Sequence, residues 1–256
     1  RSTLFPYTTL FRSETICVMS RQCGTKVIPV DIGMAVDTKV SKELKVAYGT
    51  ANMTKGPAMT RAQAVQALEA GIEMVRRLKE EGYGLLATGE MGIGNTTTSS
   101  AVASVLLDRS VEEMTGRGAG LSGDGLNRKI NAIRKAIEVN QPDPKDAIGV
   151  LAKVGGFDIA GMAGMFLGGA ALAALIAQRI CPLAGEYMIA SHVSKEPAAR
   201  LILEALGKEA VIHGEMCLGE GSGAVALFPF LDMGIAVYDS MSTFEDIHVE
   251  QYEELV

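Results

Sequence analysis

The sequence predicts an α/β fold: a parallel, Rossmann-like sheet flanked by helices, with further helical appendages. Two observations carry this. The order strand, helix, strand, glycine-rich turn, helix over residues 26–108 implies parallel strands joined by right-handed crossovers. No internal repeat or low-complexity linker interrupts the remainder, so one continuous domain is expected.

Residues 1–13, "RSTLFPYTTLFRS", lack an amphipathic period, and Thr3 to Ser13 back-translates to a common sequencing-adapter primer. This segment is therefore expected to be non-native and to take no part in the fold, leaving residues 14–256 as the domain. "TICVMS" reads as a helix end or a strand, and "KVIPVDIG" as a buried strand. Thr60 to Lys79 reads as a helix. Thr60 and Gln63 form a capping box, and Val65, Leu68, Ile72, Val75 and Leu78 recur at helical spacing. "YGLLATG" is the next buried strand and "TTTSSAVASVLLD" the helix after the glycines. Asn127 to Val139 is a basic amphipathic helix closed by "NQPDPKD", and Asp146 to Gln178 is helical with glycine interruptions. "EYMIAS" reads as a strand, "EPAARLILEALG" as a helix, and the last third as a loop leading into a long apolar helix.

Apolar residues form 48% of the chain and charged residues 21%, a globular composition. The net charge of −6 argues against a nucleic-acid backbone or an anionic membrane surface as partner. Cys17, Cys23, Cys181 and Cys217 show neither metal-ligand nor disulfide-framework spacing, which fits a reducing cytoplasm. Ile159 to Gln178 is uncharged and long enough to span a bilayer, with Gly164 and Gly168 in GxxxG spacing. Its Ala/Gly content and the absence of basic or aromatic flanks favour a buried helix pair. His192, His213 and His248 are too scattered for a metal site. Met162, Met165, Met216 and Met233 read as core filler.

The turn "TGEMGIGNTTT", residues 88–98, can cradle a phosphate on backbone N–H groups at a helix start. The same pattern also suits a tight βα turn that needs small residues. Gly89 and Gly94 match P-loop spacing, but Asn95 replaces the lysine. Thr97 likewise replaces the last glycine of a dinucleotide fingerprint. "TGRGAGL", residues 115–121, is a second glycine loop bearing Arg117, with Lys129 beyond it. Each cation suits either a phosphate or solvent. Ser194 reads as a helix N-cap before Pro197, or as an anion site. Glu220, among the glycines of "LGEGSGA", is either a helix N-cap acid or a desolvated general base with raised pKa. Glu90 presents the same choice. Two acids in two glycine loops favour an active site, provided the fold brings the loops together.

Six segments, "GTANMTKGPAMT", "TGEMGIGNTTT", "GRGAGL", "HVSKEPAARLILEALG", "LGEGSGA" and "MSTFED", together resemble nicotinate-nucleotide:dimethylbenzimidazole phosphoribosyltransferases of cobalamin biosynthesis. The resemblance runs from Glu14 to Asp246. It implies nicotinate mononucleotide and dimethylbenzimidazole as substrates, no metal or redox cofactor, a homodimer and a cytoplasmic location. It further implies Glu220 as the catalytic base, Glu90 as a second acid, and Gly92, Gly94, Asn95 and Thr96 at the donor nucleotide. Gly116, Arg117, Gly118, Lys129 and Ser194 match positions for phosphate and ribose contacts, and Gly219, Gly221 and Gly223 let the backbone approach the substrates. Against the family pattern, an N-terminal region with a strand ending Asp-His-Gly, which helps wall the benzimidazole cleft, is expected to be missing. So is one internal strand near residues 169–174. A non-catalytic nucleotide-binding or interaction fragment is the alternative reading.

Overall fold

The computed structural model of the chain describes residues 2–5, 15–90, 94–118, 120–165, 171–216 and 219–242. Strand β1 (Ser2–Phe5) lies between β2 (Lys26–Pro29) and β3 (Leu86–Thr88) in a three-stranded parallel sheet. Ser2 stands opposite Lys26 on one side and Leu86 on the other. The opening segment, expected to lie outside the fold, thus supplies the middle strand. A parallel ladder is made of main-chain groups, so its hydrogen bonds need no particular side chains. A separate parallel pair joins β4 (His192–Ser194) to β5 (Ile212–Met216).

Helix α1 (Thr15–Gln22) resolves "TICVMS" in favour of a helix. Helix α2 (Arg61–Glu80) opens as its capping box predicts: the Thr60 hydroxyl accepts from Gln63 N–H at 3.1 Å while the Gln63 side chain accepts from Thr60 N–H at 3.0 Å. Then follow α3 (Thr96–Leu107), α4 (Val111–Met114), α5 (Gly123–Asn140), α6 (Ala147–Val154), α7 (Phe157–Gly164) and α8 (Ala171–Ile180). After β4 come α9 (Ala199–Leu206), β5 and α10 (Ser222–Ser240). "EYMIAS" is not a strand. Pro182 opens a 3-10 turn that takes in Glu186 and Tyr187; the Ala190 and Ser191 carbonyls accept from the Val211 and Ile212 N–H groups, and the strand proper begins at His192. The junction expected near residues 169–174 falls partly outside the described residues.

The main core packs α2, α3, α5, α6, α7, α8 and α9 together, with Val102, Ile133, Val150, Leu151, Val154 and Ile176 fully enclosed. Within α2, Leu68 and Leu78 of the predicted stripe face inward, Val65 and Val75 are half-buried, and most of the remaining inward face is alanine and glycine. Ala64, Ala67, Leu68, Ala70, Gly71 and Leu78 are buried, whereas Ile72 is 48% exposed. The cause is a close crossing with α7. A Cβ added to Gly71 would stand 2.0 Å from the Gly161 carbonyl oxygen, and one on Gly164 would stand 2.0 Å from that of Leu68. Only small side chains let the two backbones approach so closely. The apolar stretch read as a possible membrane span is thereby explained at α7, whose Ile159, Ala160 and Ala163 are buried. Met165 is core as expected, but Met233 is exposed on α10.

Gly164→Ala is expected to lower unfolding stability by about 3 kcal/mol, the upper range for overpacking, because its neighbour is main chain. Gly84→Ala, which meets no neighbouring atom, should leave the stability nearly unchanged. Urea unfolding midpoints of the two variants check this.

Candidate functional site

The first acid-bearing loop leaves the carboxyl end of β3, where Gly89 is buried and Glu90 half-buried. The second leads into α10 through three consecutive left-handed residues: Gly219 (φ 69°), Glu220 (φ 56°) and Gly221 (φ 74°). Glycine adopts this region freely, and Glu220 is the residue that bears strain. The loops meet. The Glu220 N–H donates to the Glu90 carbonyl oxygen at 3.0 Å, and the Glu220 carboxylate accepts from the Ile16 N–H, at the start of α1, at 3.4 Å. Glu220 does not cap α10 with its side chain: Gly221 holds the N-cap position, with no side-chain bond to the helix.

The second glycine loop gathers beside the first. Lys129, buried on α5, donates from Nζ to Thr96 Oγ1 and to the Gly116 carbonyl, each at 3.0 Å. A Cβ at Gly118 would stand 2.8 Å from Thr96 Oγ1, and one at Gly116 would stand 2.1 Å from Glu196 Oε2. Gly118 is held to glycine by its left-handed backbone (φ 55°) and by the Thr96 side chain, whereas at Gly116 the near atom is the end of a flexible glutamate that can give way. The turn after β4 completes this side, with Ser194 Oγ accepting from the Glu196 N–H at 3.2 Å. Ser194 is thus a turn cap at the strand end, not the cap of α9, whose N-cap is Ala198. Arg117 is exposed and turns back to donate to the Leu121 carbonyl at 2.9 Å, away from the Lys129 cluster.

Gly94 (φ 86°) and Asn95 lead into α3, where Asn95 offers no side-chain cap to the helix. The free N–H groups of that first turn can receive an anion. The candidate Gly92 lies outside the described residues. Gly223 packs where a Cβ would stand 2.0 Å from His192 Nδ1, so the start of α10 abuts β4. Burial lowers the His192 pKa, favouring the neutral ring.

Sequence reasoning did not find three participants: Glu196, His192 and Asp158. Asp158 was visible only as the charge at the edge of an uncharged run. The Lys129 pKa is lowered by desolvation, against which the Glu196 charge works. A lysine depressed on folding costs stability while it is charged, below its folded pKa, and the cost fades as pH rises through the ordinary lysine range. At neutral pH the cost is present, and an anion paired with Lys129 would relieve it.

The family model described as phosphoribosyltransferase matches residues 8–249. The nicotinate-nucleotide–dimethylbenzimidazole phosphoribosyltransferase of Acetivibrio thermocellus is 47% identical over 253 residues, covering 93% of this chain and 72% of the relative. The enzyme of the same name from Ruminiclostridium cellulolyticum is 48% identical with the same coverage. The solved structure of CobT from Thermus thermophilus superposes with a TM-score of 0.88 at 30% identity, covering 98% of this chain and 86% of that one.

Inorganic phosphate at a hundredfold excess over its Kd is expected to stabilise the chain at neutral pH by about 2.7 kcal/mol. Lys129→Met should abolish most of that gain. Thermal melts with and without phosphate measure it, and equal stabilisation of both proteins would contradict the anion assignment.

Proposed function

Because the chain belongs to the nicotinate-nucleotide–dimethylbenzimidazole phosphoribosyltransferase family, we propose that it moves a 5-phosphoribosyl group from nicotinate mononucleotide to 5,6-dimethylbenzimidazole. The products are α-ribazole 5′-phosphate and nicotinate, as cobalamin biosynthesis requires. The observation that supports the residue assignment is the main-chain bond from Glu220 N–H to the Glu90 carbonyl, which joins the two acid-bearing loops.

One benzimidazole nitrogen attacks the anomeric carbon while the bond from that carbon to the pyridinium nitrogen breaks. The bonding pair stays on nicotinate and neutralises its ring. Attack opposite the leaving group inverts the anomeric centre. As positive charge develops on the acceptor ring, its other N–H becomes acidic, and the Glu220 carboxylate takes that proton. A moderately basic carboxylate is sufficient for this. Glu90 orients or polarises the substrates from the facing loop. Gly94, Asn95 and Thr96 form the donor site at the start of α3, and the family pattern adds Gly92. Gly116, Gly118, Lys129 and Ser194 serve phosphate and ribose, with Arg117 contributing only if its side chain leaves the Leu121 carbonyl. Gly219, Gly221 and Gly223 keep the second loop close to the substrates.

The assembly we favour is a cytoplasmic homodimer of the domain in residues 14–256, with residues 1–13 non-native in origin. The C-terminal half of α10 supports a self-association surface, since Phe230, Met233, Ile235, Val237 and Tyr238 are all more than half exposed. The non-catalytic fragment reading is not favoured, because a binding module needs no pair of acids held in register.

Glu220→Gln should lower kcat by about 10²- to 10⁴-fold while binding of nicotinate mononucleotide survives. Chromatographic detection of α-ribazole phosphate, with calorimetry for the donor, measures both. Retained turnover would remove the proposed role. Tyr238→Asp should shift the sedimentation coefficient to that of a monomer, and an unchanged coefficient would exclude α10 as the dimer face.

A further inference from the structure

Asp158 is the second residue of α7 and helps line a largely apolar cavity with Val30, Met74, Thr88, Gly89 and Met162. Burial pushes its pKa up. Bonds from Asn95 and from the backbone N–H groups of Ile159 and Asp158 itself work in the opposite direction. Oδ2 accepts from Asn95 Nδ2 at 2.5 Å. The other oxygen lies over Gly156, where a Cβ would stand 2.3 Å from Asp158 Oδ1 and 3.4 Å from Thr98 Oγ1. The carboxyl is therefore wedged between the starts of α3 and α7. Neither helix has a side-chain cap from its own N-cap residue, Asn95 or Gly156.

A first-turn acid usually serves its own helix. Asp158 does more, because the side chain it grips precedes another helix. Asn95 stands between Gly94 and Thr96, and its carbonyl accepts from Thr98 Oγ1 at 2.8 Å and from Ser99 Oγ at 3.1 Å. The first turn of α3 is thus organised around Asn95. Among the described residues the buried Asn95 Oδ1 atom has no hydrogen-bond partner, and Asp158 is the group that fixes the amide plane.

We propose that Asp158 is a positioning residue for the nucleotide donor, acting through Asn95 to hold the turn Gly94–Thr96 and the free N–H groups of α3 in their binding orientation. The inference rests on the assignment of that turn to the donor phosphoribosyl group. It gives α7, which that assignment leaves idle, a part in donor affinity.

The test is a thermodynamic cycle on the full chain with Asp158→Ala, Asn95→Ala and the double variant. The Michaelis constant and Kd for nicotinate mononucleotide are expected to rise about tenfold in each single variant, as for a lost charge-assisted hydrogen bond. In Asp158→Ala, kcat should stay within about threefold. The double variant should match the single ones, because both changes break one link. If Asp158→Ala is insoluble, Asp158→Asn takes its place in the cycle, with the same result expected. A donor Kd unchanged in the Asp158 variant, or losses that multiply in the double variant, would overturn the proposal while leaving the donor site in place. Failure of the unaltered chain to bind nicotinate mononucleotide would overturn the donor assignment and this inference together.

Discussion

A single main-chain hydrogen bond, from the Glu220 N–H to the Glu90 carbonyl, is the constraint on which the site depends. These residues are 130 apart in sequence, and nothing local draws them together. The bond is possible because three successive residues turn left-handed ahead of α10, which presents the Glu220 N–H outward. Glycine makes that turn nearly without strain at 219 and 221. At Glu220 itself the conformation costs roughly 1 kcal/mol or more. A non-glycine residue kept in such a conformation is easiest to understand where its side chain has a task.

The support beneath that contact is close packing rather than bulk. Gly71, Gly161 and Gly164 let α2 and α7 approach until backbone meets backbone, and α7 in turn sets Asp158 against the first turn of α3. The candidate site is thus referred to packed helices as well as to the loops that bear the two acids. Lys129 does the same from α5, reaching across to Thr96 and Gly116. Charge is sparing here, in keeping with an acidic chain that must hold an anionic substrate: one desolvated lysine and helix N–H groups stand in for a basic patch.

Much of this was legible in the sequence. The capping box at Thr60 and Gln63, the glycine turn before α3 and the helical period of α5 are local signals, and each element forms where its signal lies. The glycine motifs marked two acid-bearing loops, but their meeting was not legible, because the Glu220 N–H to Glu90 carbonyl bond spans 130 residues. What could not be read was set by tertiary contact. Ile72 has the period of a core residue but faces outward, because the close crossing with α7 selects alanine and glycine for the interface. "EYMIAS" has strand composition, yet the proline before it turns the chain into a 3-10 coil first. Asp158 looked like a boundary charge, since its partner Asn95 lies 63 residues earlier and no local pattern joins them.

The sheet order has a consequence for folding. Among the described residues β2 and β3 pair only with β1, never with each other. A folding chain must therefore keep one flank of β1 open until the segment around Thr88 has joined it. During that interval it exposes an unsatisfied row of amides, the kind of edge that recruits foreign chains. Intermediates in which β3 has not yet docked are accordingly the ones most prone to pair with another chain.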